Sequence, residues 1–142
     1  MEFKLFLIPI ITLLINQLIK MLIEALRGNF SWYKLFTYGG MPSSHSALVT
    51  SLTIVIAYYQ GISSPSFALA LIFSIIVIKD ASGIRLKLGQ QGKIINSLIK
   101  ELPDQKEYKY PVLAEKLGHT NFEVLVGVLT SIIITSLLIN IF

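Results

Sequence analysis

Residues Val124–Phe142 read VLVGVLTSIIITSLLINIF, an uncharged run that decides the fold. A bilayer crossing needs roughly 20 predominantly apolar residues, so this run predicts a membrane-spanning helix. Working outward, three more apolar stretches appear: Phe6 to about Leu22, interrupted by Asn16, Gln17 and Lys20; Ala47 to about Tyr59; and Phe67 to Ile78. The second and third are short, and are expected to borrow His45 and Ser46 before the one, and Lys79 to Ala81 after the other. Gly61 to Pro65, rich in Gly, Ser and Pro, predicts a tight turn between them. The first stretch follows Lys4 but has no small-residue cleavage pattern and runs into Lys20 and Glu24, so it reads as a retained helix rather than a leader.

Composition agrees. The 142-residue chain is 54% hydrophobic and only 14% charged, with a mean hydropathy of +0.70, whereas a soluble domain carries roughly 25% charged residues. Its length suits one integral membrane domain over residues 1–142. The absence of cysteine excludes disulfides, zinc–thiolate sites and thiol catalysis. A net charge of +4 does not call for nucleic acid, because surplus Lys and Arg in a membrane protein report topology and anionic headgroups. Eleven of the twelve Lys and Arg lie in or beside the first and third connections, Lys4 being the exception. The positive-inside rule then makes that side cytoplasmic, with both termini outside. Both histidines fall on the same side. Within the third connection Ile84, Leu88, Ile95, Leu98 and Ile99 recur at near-helical spacing, which predicts a helix lying on the membrane or the bundle. Pro103 to Pro111 reads as an exposed connector and Pro111 to Leu117 as a short helical piece.

The first histidine sits in Gly39-Gly40-Met41-Pro42-Ser43-Ser44-His45-Ser46. The Gly and Pro residues form a turn, and Ser43 or Ser44 is a natural N-cap for the helix that follows. The open amides of such a helix start attract anions, phosphate among them, with His45 in the first turn. The second histidine sits in Gly118-His119-Thr120-Asn121-Phe122-Glu123. On a helix His119 and Glu123 share a face, so the carboxylate could hold one ring nitrogen and leave the other free to attack. Equally, Thr120 and Glu123 spell a capping box. Lys20 and Arg27 are seven apart with Glu24 between them, and Asn16 extends that stripe inward. Charges at such depth usually face protein or a water-filled cavity. With Arg85, just beyond the third stretch, they could clamp phosphate oxygens; snorkelling to the membrane surface is the alternative.

Taken together these residues resemble the divergent, small bacterial and plastid branch of the type 2 phosphatidic acid phosphatase superfamily, which also contains the vanadium haloperoxidases. The resemblance covers nearly the whole chain and rests on Gly39 to Ala47, on Asp80, Gly83, Arg85, Gly89, Gln90 and Asn96, and on Gly118-His119-Thr120 with Glu123-Val124. The wider superfamily has a Lys, six residues, Arg-Pro motif, matched by Lys20 and Arg27 with Gly28 in place of the proline. Its Pro-Ser-Gly-His is matched by Pro42, Ser43 and His45, with Ser44 for the glycine. Its Ser-Arg, five residues, His, three residues, Asp is matched by His119 and Glu123, with Glu for Asp. Leu113 stands where its arginine would be, and Arg85 is the conjectured substitute.

The resemblance implies a metal-independent lipid phosphate phosphatase needing no cofactor. His119 would be the nucleophile, Glu123 its support and His45 the acid. Lys20, Arg27, Ser43, Ser44 and Arg85 would bind phosphate, with Asp80, Gln90 and Asn96 as secondary candidates. The partners expected are a phosphorylated lipid substrate and membrane lipids, not nucleic acid. The expected fold is all-α: a polytopic membrane bundle with four clear spans plus cytoplasmic or re-entrant helical segments. Superfamily members usually have more core helices, so either the third connection re-enters the membrane or a second copy completes the bundle as a homodimer. The rival reading is a non-catalytic membrane protein that binds phosphorylated headgroups or serves a small transporter.

Overall fold

The computed structural model describes residues 2–26, 28, 40–102 and 110–142, and every element in them is helical. α1 spans Glu2–Leu26, α2 Ser44–Gln60, α3 Pro65–Lys79, α4 Arg85–Glu101 and α5 Asn121–Ile141. A π-helical turn, Asp80–Ile84, joins α3 to α4 without a break. Among the described residues, three helical runs are long and apolar enough to cross a membrane: Phe3–Leu26, Pro65–Glu101 and Asn121–Ile141.

The expectation of four clear spans is adjusted on one point. α2 has 17 residues, so it extends about 26 Å, slightly less than the roughly 30 Å of hydrocarbon. It is the central helix, packed against α1, α3 and α5, and its neighbours cover much of its surface. Gly61, at φ +85°, ends it, and Ser64 caps α3 by accepting from Phe67 N at 3.1 Å. The two short apolar stretches thus form a tight helical pair, as the turn residues require.

The bundle is apolar outside and polar inside. Phe6, Leu18, Leu69, Ile76, Leu129 and Ile133 are exposed, whereas Thr12, Asn16, Ser46, Ser51, Ser131 and Thr135 are fully buried. Lipid supplies no hydrophobic drive for helix association, so small residues and interhelical hydrogen bonds hold such a bundle together. Thr135 Oγ1 donates to Ser51 Oγ at 2.7 Å, and Ser51 Oγ to Thr12 Oγ1 at 3.2 Å, closing a triangle across α1, α2 and α5. Thr130 donates to Asn16 Oδ1 at 2.8 Å, Ser131 to the Ala47 carbonyl at 2.7 Å and Ser74 to the Val49 carbonyl at 3.0 Å.

Two sequence expectations change. The third stretch does not end in a separate surface helix; it continues through the π turn into α4. The piece from Pro111 to Leu117 is irregular, with a bend at Glu115, and not helical. The reason is packing. α4 buries Gly89, Gly92 and Asn96, and the 113–117 segment lies directly on the two glycines: a Cβ at Gly89 would stand 2.6 Å from the Glu115 carbonyl oxygen, and one at Gly92 2.8 Å from that of Ala114. Asn96 accepts from Leu113 N at 3.0 Å and donates to Leu113 O and Glu115 Oε1, both at 2.9 Å. A backbone bound on both sides by one amide has no need of helical hydrogen bonds there. Most of the connector expected from Pro103 to Pro111 lies outside the described residues.

Candidate active site

Two helix starts meet at one end of the bundle. At the α2 start, Ser43 is the N-cap: its Oγ accepts from Ser46 N at 3.5 Å and contacts Ser46 Oγ at 2.9 Å. The same residue is pinned from behind. Ser43 N donates to the Glu123 carbonyl at 3.2 Å, and α5 comes so close that a Cβ on Gly127 would lie 2.6 Å from Ser43 O. Gly127 is therefore what lets the two starts touch. Ser43 and Ser44 are buried, while His45 is exposed on the first turn.

At the α5 start Thr120 forms the full capping box: Glu123 N donates to Thr120 Oγ1 at 3.3 Å, and Thr120 N to Glu123 Oε2 at 2.8 Å. His119 immediately precedes the cap. Its N–H donates to the Ala81 carbonyl in the π turn at 2.8 Å. Gly118, at φ +79°, makes this approach feasible, since a Cβ there would lie 2.5 Å from Leu86 N. The imidazole is only 5% exposed. Its Nδ1 is 3.7 Å from Glu123 Oε2, too far for a hydrogen bond, and has no other partner among the described residues. Of the two readings of the Thr120–Glu123 pattern, the capping box forms, whereas the carboxylate stands near the ring without holding either nitrogen.

The cations converge on these starts. Lys20 is buried at the inner end of α1; a Cβ on Gly40 would be 3.0 Å from its Cε and 3.7 Å from Glu24 Oε1. The charges of Arg85, Lys20 and Asp80 act on His45. Those of Glu123, Lys20 and His45 act on His119, whose ring also meets the Gly40 backbone. Arg85 is held by Asp80, Nε to Oδ2 at 2.5 Å, with both side chains part-exposed. For His119, which lies outside the spans, burial is the main influence and pulls the pKa below the usual histidine value. Glu123 opposes it, Lys20 and His45 reinforce it, and the Gly40 backbone pushes back. His119 is therefore neutral near pH 7, the form in which imidazole is a nucleophile.

The sequence candidates separate accordingly. His45, His119, Glu123, Lys20, Ser43, Ser44, Arg85 and Asp80 are at this end of the bundle. Arg27 lies outside the described residues. Asn96 serves the 113–117 segment, and Gln90 is exposed on α4. Leu113, standing in the place of the motif arginine, is exposed, with its backbone bound to Asn96. Sequence reasoning missed the Ala81 carbonyl and Gly127. Neither has a local signal, because the first depends on a π turn and the second on which helix faces which.

The chain is thus an all-helical membrane protein with its histidines, two cations and two helix starts gathered at one end of the bundle. Residues 1–134 match the Divergent PAP2 family, and the chain belongs to that family. The chain is also 40% identical over 118 residues to the "uncharacterized membrane protein YuiD" of Bacillus subtilis (strain 168), covering 75% of each. No solved structure matches it.

Proposed function

We propose that this protein is a membrane lipid phosphatase that hydrolyses a phosphomonoester or diphosphate headgroup through a phosphohistidine intermediate. The observation that carries the reading is the meeting of a buried His119 and an exposed His45 among Lys20 and Arg85 at two helix starts. Membership of the Divergent PAP2 family supports it. As the ring gives up Gly40, the Nε2 proton passes through water to Nδ1, whose N–H closes onto Glu123, and the freed Nε2 lone pair attacks phosphorus. The bond to the leaving oxygen breaks, and His45 supplies that oxygen with a proton. Water then attacks the phosphohistidine as His45 takes its proton, releasing inorganic phosphate and restoring His119. Lys20, Arg85 and the Ser44 amide offset the charge on the equatorial oxygens, with Arg27 as a further ligand. Arg85 must exchange Asp80 for phosphate.

The cytoplasmic face carries the site in this reading, which favours an intermediate of phospholipid synthesis: phosphatidylglycerophosphate first, then phosphatidate or a polyprenyl diphosphate. Detergent-purified protein is expected to release phosphate from at least one of the three, and His119→Ala to lower that rate by about 10³-fold or more. Release from none, or full activity in His119→Ala, overturns the proposal. A non-catalytic headgroup binder is favoured by one observation, the 3.7 Å gap between His119 Nδ1 and a carboxylate already engaged in the cap. That reading predicts binding without turnover and tolerance of His119→Gln.

A further inference from the structure

The π turn Asp80–Ile84 interrupts an otherwise α-helical run from Pro65 to Glu101. Such turns are rare and recur at functional sites. This one has two consequences. Arg85 N bonds to the Asp80 carbonyl, five residues back, and not to the Ala81 carbonyl, as α spacing would have it. The Ala81 carbonyl instead accepts from His119 N at 2.8 Å. The wider turn also turns Asp80 and Arg85 onto one face, where α-helical residues five apart would stand about 140° from each other. Asp80 Oδ2 consequently accepts from Arg85 Nε at 2.5 Å.

The same carboxylate acts on His45, and the packing of α2 on α3 explains why. Ser74 Oγ donates to the Val49 carbonyl at 3.0 Å, and Thr53 Oγ1 to the Ala70 carbonyl at 3.3 Å. The two helices are antiparallel. One turn before Val49 on the same ridge, His45 therefore comes level with Ile78, one turn after Ser74. Asp80 follows two residues later, about 3 Å further along the axis. Among the described residues, the charges that act on His45 are those of Arg85, Lys20 on α1 and Asp80, with His119 across the two helix starts. The two cations oppose a proton on this imidazole, and Asp80 favours one. That carboxylate is engaged by Arg85.

We propose that Asp80 is a positioning residue with two partners: it holds Arg85 before substrate binds, and turns to His45 once a substrate phosphate takes Arg85. This rests on the phosphatase reading, in which Arg85 exchanges Asp80 for phosphate, and adds where the released carboxylate goes. Asp80 accepts from one N–H of the His45 imidazolium and leaves the other directed at the leaving oxygen. Each histidine thereby has its own carboxylate, Glu123 for His119 and Asp80 for His45. The acid is assembled only when a substrate is there to take its proton.

Two measurements on the detergent-purified full chain test this. The chain has only two histidines, so carbon-13 imidazole NMR can follow each, with His119→Gln assigning the signals. Inorganic phosphate is expected to move the His45 midpoint to higher pH in the wild type, and by less than about half as much in Asp80→Asn, which keeps an acceptor for Arg85 Nε but loses the charge. Equal displacements in the two proteins overturn the proposal, because Asp80 then stays on Arg85. So does phosphate that moves neither signal. In kinetics, Asp80→Asn should lose about ten-fold or more on an alkyl phosphate and little on an aryl phosphate. Equal losses on both, the pattern of a residue that serves Arg85 alone, overturn it as well. A wild type that shows the NMR difference yet releases no phosphate defeats the phosphatase reading and still supports the exchange of partners.

Discussion

The starts of α2 and α5 use the same capping chemistry and present their histidines oppositely. Ser43 caps α2 and Thr120 caps α5, each accepting from the residue three positions on. His45 follows its cap and lies exposed, whereas His119 precedes its cap and is buried against the π turn. The difference is one of side. A residue inside the first turn points outward from the helix start, and one before the cap is fixed by whatever the incoming chain rests on. For His119 that support is built from Asn96, the α4 glycines and the Ala81 carbonyl. The arrangement suits a division of labour, with an accessible group for proton transfer and a desolvated one for attack.

The largest effect that sharpens this contrast is on His45. His45→Ala is expected to lower phosphate release by about 10²–10⁴-fold on an alkyl phosphate, the range of a general acid. The loss should be much smaller on an aryl phosphate, whose leaving group needs no proton. His119→Ala should lose activity on both. Equal losses for His45→Ala on the two substrates would remove the distinction between the histidines.

Next come the glycines that hold the starts in place. Gly118→Ala combines a left-handed φ of +79° with a Cβ 2.5 Å from Leu86 N, and is expected to destabilise by about 2–4 kcal/mol. Gly127→Ala meets only the Ser43 backbone, with no backbone strain, and should cost about 1–3 kcal/mol. Denaturation in detergent measures both; a larger loss at Gly127 would reverse the order of the two supports. Asn96→Leu removes three hydrogen bonds to the 113–117 segment. It should cost about 1–3 kcal/mol and lower kcat for phosphate release, since His119 loses its support, while His45 accessibility to modification stays unchanged.

The smallest effect is electrostatic. Glu123 raises the His119 pKa against the stronger lowering by burial. Glu123→Gln keeps an oxygen for Thr120 N but removes the charge. The acid limb of the rate profile should then move to lower pH, since the charge that raises the His119 pKa is gone. Stability has a matching sign. A histidine whose folded pKa lies below its unfolded value of about 6.5 contributes fully above that pH, and the contribution is lost as pH falls through the folded pKa. Wild-type stability should therefore decline below about pH 6.5, and His119→Gln should flatten that decline in thermal unfolding.

Much of the fold was legible locally. An uncharged run of membrane length identifies α5, and shorter or interrupted apolar stretches mark α1, α2 and α3. Gly61-Ile62-Ser63-Ser64-Pro65 marks the α2–α3 turn, and Thr120 with Glu123 spells the cap that forms. Of the site, the helix-start motifs placed His45 and His119 at helix starts, and charge counting put both on one side of the membrane with Lys20 and Arg85 as candidate phosphate ligands. The shape of residues 111–118 was not legible, because Pro111 to Leu117 has no strong local preference and is set by the side chain of Asn96, 17 residues from Leu113. Nor was the continuity of α3 with α4, since Gly83 and the charges at Lys79 and Asp80 look like a helix end.

The sequence by itself determined that this chain is a membrane helix bundle with polar helix starts gathered on one side, because hydrophobic length, capping and charge placement are local quantities. Only the tertiary structure decided which histidine is buried and where Arg85 rests. Those outcomes depend on close backbone approaches, Gly127 on Ser43 and Gly118 on Leu86, between segments far apart in the chain.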